Sequence, residues 1–158
     1  MIQGKMLSYG DDLSEIYDIR TKVFVEELGL QKEQVFDLYD PDAIHVLVYE
    51  EKFSEQGEEL IPVATGRITY DGDVCEVAHI SVLKAYRNKE YGDFAIRMLI
   101  NKALLSGIDE ICLVATKDVV GFFERVGFTV SERKSEEDGK IKMILNLSNM
   151  DSMCKCKH

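Results

Sequence analysis

The spacing of apolar and polar residues divides the chain into ten segments. In DDLSEIYDIRTKVFVEELG, apolar side chains recur at Leu13, Ile16, Tyr17, Ile19, Val23 and Phe24. That three-to-four spacing is one face of a helix, and Gly29 supplies its stop. FAIRMLINKALLSG repeats the pattern more strongly and also ends on glycine, so the helix is expected over 91–106. VVGFFERVG reads as a short third helix. IQGKMLSYG, IHVLVYEEKF, LIPVATGRITYDGD, VCEVAHISVL and EICLVAT are short, rich in β-branched residues and bounded by turn residues, the signature of strands. SEQGEE is the turn between the second and third strands, and Asp71–Gly72 predicts a tight hairpin into the fourth. VFDLYDPD is an irregular acidic connection. FTVSERK and KIKMILNL close the chain as a hairpin around SEEDGK.

The order β-α-β-β-β-α-β-α-β-β predicts an α/β (α+β) domain. Its sheet of about seven strands should be mixed, mostly antiparallel and twisted, with helices on both faces. The parallel part should follow the crossover from strand 73–83 through helix 91–106 to strand 110–115. With 158 residues and 46% hydrophobic content, the chain supports one core of ordinary size. We expect one domain over residues 1–147 and a tail over 148–158.

Charge narrows the partners. The formal net charge is −10, which disfavours nucleic acid and anionic membranes because both need a basic face. It suits a cationic acceptor such as an amine. No apolar run approaches the ~18 residues of a membrane helix, and MIQGKMLSYG lacks the features of a secretion signal, so a cytoplasmic protein is expected. Cys75 and Cys112 lie in apolar strands as buried thiols. Cys154, Cys156 and His158 share a terminal cluster too sparse to assign a metal, and none is expected.

One stretch carries chemistry. SVLKAYRNKEYGDF joins a strand to a helix through a short loop and supplies Arg87, Lys89 and a run of backbone N–H groups. Unpaired amides, the positive end of a helix dipole and a cation are the ingredients of an anion site. The competing reading is an ordinary loop with solvated basic residues.

The wider chain resembles the GNAT superfamily of N-acetyltransferases from about residue 12 to 147. RNKEYG is similar to the family loop [Q/R]-x-x-G-x-[G/A], matching at Arg87 and Gly92 and departing at Glu90. ISVLKAYR resembles the strand end that precedes that loop, and GFFERVGF resembles the family's later helix and turn. RTKVFVEELGL, EQVFDLYDPDAIH and ATGRI are similar to the ElaA-type branch.

The resemblance implies acetyl-CoA as co-substrate, its pyrophosphate on the amides of Asn88, Lys89, Glu90, Tyr91, Gly92 and Asp93, with Arg87 alongside. The pantetheine arm would pair with Ile80, Ser81 and Val82, and the Ile80 N–H would polarise the thioester carbonyl. Glu76 is the first candidate base and His79, which ordinarily titrates in a useful range, the second. Their alternatives are a salt-bridged edge glutamate and a satisfied strand histidine. Phe123 stands where the family has the tyrosine that protonates the leaving thiolate, so packing is kept and the proton lost.

Phe24, Glu27 and His45 are candidates for the acceptor side, His45 having a structural alternative as a partner of the acidic loop. Glu26, Glu27, Glu33, Asp37, Asp40 and Asp42 could draw a cation to the pocket mouth, or simply be solvated. Phe24, Tyr39 and Tyr70 are read as core or pocket wall. A glutamate at position 90 with helical φ/ψ would still leave the amides aimed at phosphate. The expected function is therefore acetyl transfer to a primary amine of a small molecule or peptide. A catalytically weak binding or regulatory module is the alternative, and a homodimer through an exposed sheet edge a third reading.

Overall fold

The computed structural model describes residues 2–131 and 139–148. The expected elements form in the expected order. They are β1 (Ile2–Leu7), α1 (Ser14–Arg20), α2 (Lys32–Val35), β2 (Ile44–Ser54), β3 (Gly57–Asp71), β4 (Val74–Val82), α3 (Tyr91–Leu105), β5 (Glu110–Thr116), α4 (Val120–Arg125), β6 (Thr129–Val130) and β7 (Lys140–Asn146). The sheet runs β1-β2-β3-β4-β5-β7-β6. Pairings of β2 with β1 and β3, and of β7 with β5 and β6, are antiparallel, whereas β4 and β5 are parallel. The crossover through α3 explains that pair, because parallel neighbours need a long connection.

Two details depart from the sequence reading. The turn between β2 and β3 is tighter than SEQGEE, since Ser54 already pairs with Gly57, whose φ of 115° a Cβ would resist. The first helix is α only as far as Arg20, and Thr21–Glu27 continue as a π-helix. The Leu28 N–H donates to the Val23 carbonyl five residues back, at 3.1 Å. The acidic connection also contains α2 and a single 3₁₀ turn over Asp40–Asp42.

The chain gathers into two compact units. One holds the residues up to Thr69 with His79–Leu99, and the other holds Tyr70–Ala78 with the residues from Ile100 onward. In the first, Ile16, Ile19 and Val23 pack with Leu7, Leu47 and Tyr49, flanked by Leu13, Tyr17, Phe24 and Leu83. This is the apolar stripe read from sequence, buried as one face of a helix should be. Gly66 is required there, because a Cβ would overlap Ile80 Cδ1 and meet Leu99 Cδ1 at 3.1 Å. In the second unit, Cys75, Val77, Ile111, Leu113, Phe123, Phe128, Met143 and Leu145 are buried. Phe123 makes edge contacts with Phe122 and Phe128 at 5.0 and 5.8 Å between centroids.

Candidate active site

The loop that opens α3 leaves a run of donors without acceptors. After the 3₁₀ turn Lys84–Tyr86, Arg87 is extended, and Asn88 and Glu90 adopt φ of 62° and 72°. The first helical bond runs from the Phe94 N–H to the Glu90 carbonyl at 2.9 Å. Among the described residues, no acceptor takes the N–H of Asn88, Lys89, Glu90, Tyr91, Gly92 or Asp93. Left-handed residues beside a helix start turn successive amides toward a common concavity, an anion-binding nest. Glu90 thus does not take the helical φ/ψ that would have been strain-free. It holds the conformation glycine favours, at a cost of roughly 1 kcal/mol for a residue with a Cβ.

The loop's cations are already engaged. Arg87 donates through Nη1 and Nη2 to both carboxylate oxygens of Glu27 at 2.6 Å, and through Nε to the Val82 carbonyl at 3.0 Å. Lys89 Nζ stands 5.7 Å over the Tyr86 ring. Glu27, expected toward the acceptor, is therefore the partner of Arg87, whose hydrogen bonds pull its pKa below the usual range. An open groove of about 350 Å³ lies alongside, lined by Lys22, Val23, Glu26, Glu27, Leu83 and Lys84.

In β4 the ladder with β5 ends at Glu76↔Cys112. The Leu83 N–H donates to Val63 in β3 at 2.9 Å. Because N–H groups alternate between a strand's two edges, those of Ile80 and Val82 point to the edge away from β3. Just before them His79 has φ 55°, a left-handed residue inside a strand. Such a break re-aims the side chain. The His79 ring meets Phe24 edge-on at 5.8 Å, and its Nε2 lies 4.0 Å from Asp37 Oδ2. Ser81 is buried, its hydroxyl directed to the His79 carbonyl at 3.4 Å.

Behind His79 sits a buried charge network that the sequence reading missed. Arg20 donates through Nη1 to Asp40 Oδ1 at 2.8 Å and through Nη2 to His45 Nδ1 at 3.2 Å. Arg67 donates to Asp40 Oδ1 at 2.7 Å and grips Asp37 with two bonds of 2.7 and 2.8 Å. Arginine has no lone pair to offer, so His45 Nδ1 is the acceptor and its Nε2–H donates to the Asp40 carbonyl at 3.0 Å. His45 is fully buried with both nitrogens satisfied, which is its structural reading and not that of a pocket wall.

Burial acts to raise the Asp40 pKa, but bonds from Arg20 and Arg67 outweigh it and hold the group below its ordinary value. Asp37 is held low chiefly by Arg67. His79 is pushed down to about 4, first by burial and then by Arg20 and Arg67. The expectation that it titrates in a useful range is overturned: it is a neutral imidazole at pH 7.

Asp37 and Asp40 are thus neutralised internally and are not a solvated attractor for cations. One signal in the sequence could have found them: Arg20 interrupts the buried stripe between Ile16, Ile19 and Val23, and Arg67 stands between buried Ala64 and Ile68.

The remaining candidates lie elsewhere. Glu76 is exposed on β4 in the second unit, register partner of Cys112, and Phe123 is a core side chain of that unit. Burial, with Cys112 nearby, pushes the Cys75 thiol up to about 12, so it is inert. Tyr39 and Tyr70 are 67% and 38% exposed, against their reading as core or pocket wall. Cys154, Cys156 and His158 fall outside the described residues. No described helix is long and apolar enough to cross a membrane.

A strand edge with spare amides leading into a nest at a helix start defines an acyl-CoA type of site on a mixed sheet. Comparison with known proteins agrees. Residues 13–128 match the model of the acetyltransferase (GNAT) family, so the chain belongs to that family. Protein YyaT of Bacillus subtilis is 30% identical over 147 residues, covering 85% of this chain and 88% of that protein. The crystal structure of Escherichia coli ElaA superposes with a TM-score of 0.75 at 23% identity, covering 92% of this chain and all of the other. The paia N-acetyltransferase of Thermoplasma acidophilum, solved in complex with coenzyme A, superposes at 0.64 and 14% identity, covering 92% and 99%. These two structural likenesses bear on the fold alone.

Proposed function

We propose that the protein is an N-acetyltransferase that moves the acetyl group of acetyl-CoA to a primary amine of a small molecule or peptide, directly within a ternary complex. The observation that carries the reading is the run of six amides from Asn88 to Asp93 without acceptors, set between left-handed Asn88 and Glu90 and the start of α3. Pyrophosphate on these amides needs no particular side chain, which is why Glu90 in the loop is tolerable. The Ile80 and Val82 N–H groups offer the pantetheine arm a strand to pair with, and the Ile80 N–H is the donor proposed for the thioester oxygen.

In the transfer, the amine lone pair forms the new N–C bond and the C–S bond breaks. The thiolate leaves with the electron pair, and the amine proton passes to a base. Glu76 is that base by resemblance. A neutral His79 with a pKa about 4 is a weak proton acceptor, so its proposed part is to accept a hydrogen bond from the amine. Phe24 is proposed as a wall on the acceptor side and Phe123 as an apolar contact for the cofactor.

A second reading, a GNAT-like binding module of low activity, draws on Arg87 being engaged by Glu27 and on the absence of a hydroxyl at Phe123. Thermal melts with acetyl-CoA and with acetyl-pantetheine separate the possibilities. Stabilisation by acetyl-CoA but not by acetyl-pantetheine is expected, since the nest needs the pyrophosphate. No shift with millimolar acetyl-CoA would sink both the donor assignment and the loop. Binding without thiol release across a broad amine panel would favour the second reading.

A further inference from the structure

The buried network has no obvious value for stability. Arg20, Asp40 and Arg67 are 0%, 3% and 4% exposed, and buried ion pairs are often matched or bettered by apolar packing. What the network does achieve is geometric. Asp37 is fixed by three bonds: Arg67 Nη1 and the Tyr39 N–H on Oδ1, and Arg67 Nη2 on Oδ2. That fixed Oδ2 faces His79 Nε2 at 4.0 Å. A ring nitrogen lone pair turned toward a carboxylate would be repelled, whereas an N–H would be attracted, so Nε2 carries the proton. The other charged groups around the ring are Arg20 from α1, Arg67 from β3 and Asp40 from the acidic connection. Phe24 closes one side of the ring.

We propose that Asp37, clamped by Arg67, is a positioning residue for His79: it holds the imidazole as the Nε2–H tautomer and leaves Nδ1 free to accept from the acceptor's N–H. The part concerning the acceptor rests on the acyl-transfer reading above; the tautomer does not.

Nitrogen-15 NMR of the full chain at pH 7 tests it. The protein has three histidines, and His79→Gln identifies the relevant signals by their loss. The expected result is a single tautomer with a protonated Nε2 and a bare Nδ1. In Asp37→Asn that pattern should give way to a mixture of tautomers, while stabilisation by acetyl-CoA is kept. Asp37→Glu should recover the single pattern in part.

A Nδ1–H tautomer in the wild type overturns the proposal, and so does a folded Asp37→Asn with unchanged His79 signals. Should Asp37→Asn fail to fold, Arg67→Lys keeps the charge and removes the two-pronged grip, so unchanged His79 signals there would be equally fatal. Failure of acetyl-CoA to stabilise the wild type would remove the acyl-transfer reading while the tautomer result still stood.

Discussion

The loop at 88–93 and the network behind His79 solve opposite problems with opposite materials. The loop must receive a polyanion, and it does so with backbone amides that any sequence of compatible φ carries. The network must fix one ring, and it does so with side chains alone: two arginines, two aspartates and a histidine drawn from α1, the acidic connection, β2 and β3. The loop therefore tolerates substitution where the network does not. A glutamate in a glycine's place costs the loop a little strain, whereas losing one partner of the network strands a charge in the interior.

That contrast sets the order of expected effects. Asp40→Ala leaves Arg20 and Arg67 without their shared carboxylate, and a loss of about 3–5 kcal/mol is expected in urea unfolding. A loss under 1 kcal/mol would place the two regions on the same footing. Acid comes next. His79 is lowered in the folded state, so the unfolded chain binds the extra proton between the ordinary value and about 4. Stability is then full above pH 6.5 and falls as the pH drops toward 4, by about 3 kcal/mol from this group alone. His79→Gln should flatten that slope; a slope unchanged in the variant would contradict the burial of the ring.

The loop variants are milder. Glu90→Gly removes the left-handed strain and a like charge beside phosphate, so acetyl-CoA should bind a few-fold tighter, equivalent to about 1 kcal/mol. A large loss of affinity in calorimetry would mean the loop is something else. Glu27→Gln releases Arg87 toward the phosphates, and a gain of about 0.5 kcal/mol in the same measurement is expected, because a part-exposed pair is worth little.

Much of the fold was legible because its cues are local. The stripe of Ile16, Ile19 and Val23 marked the first helix, Gly72 the hairpin and SVLKAYRNKEYGDF the strand–loop–helix unit that became the candidate site. The cues that failed are those set by distant partners. Arg87 meets Glu27 sixty residues away, and Arg67 meets Asp37 thirty residues away, so neither pairing has a spacing to read. His79 seemed an ordinary strand residue because left-handed φ in a non-glycine follows from tertiary demands, not from propensity. The acidic connection misled for the same reason: its aspartates looked solvated until the arginines they neutralise were seen beneath them.

The π-helix at Thr21–Glu27 has a consequence for how this molecule tolerates insertions and deletions. Bonds from residue i to i+5 accommodate more residues per turn than α geometry, and they do so between Arg20 in the network and Glu27 at the loop. Deleting one residue there, Val25 for example, would let the segment relax to an α-helix. Everything after it would then turn by about 100° relative to what precedes it. Arg20 would stay in register while Glu27 swung off Arg87. The widened helix is thus a phase adjuster between two sites whose residues are seven positions apart, and its length is under tighter constraint than its composition.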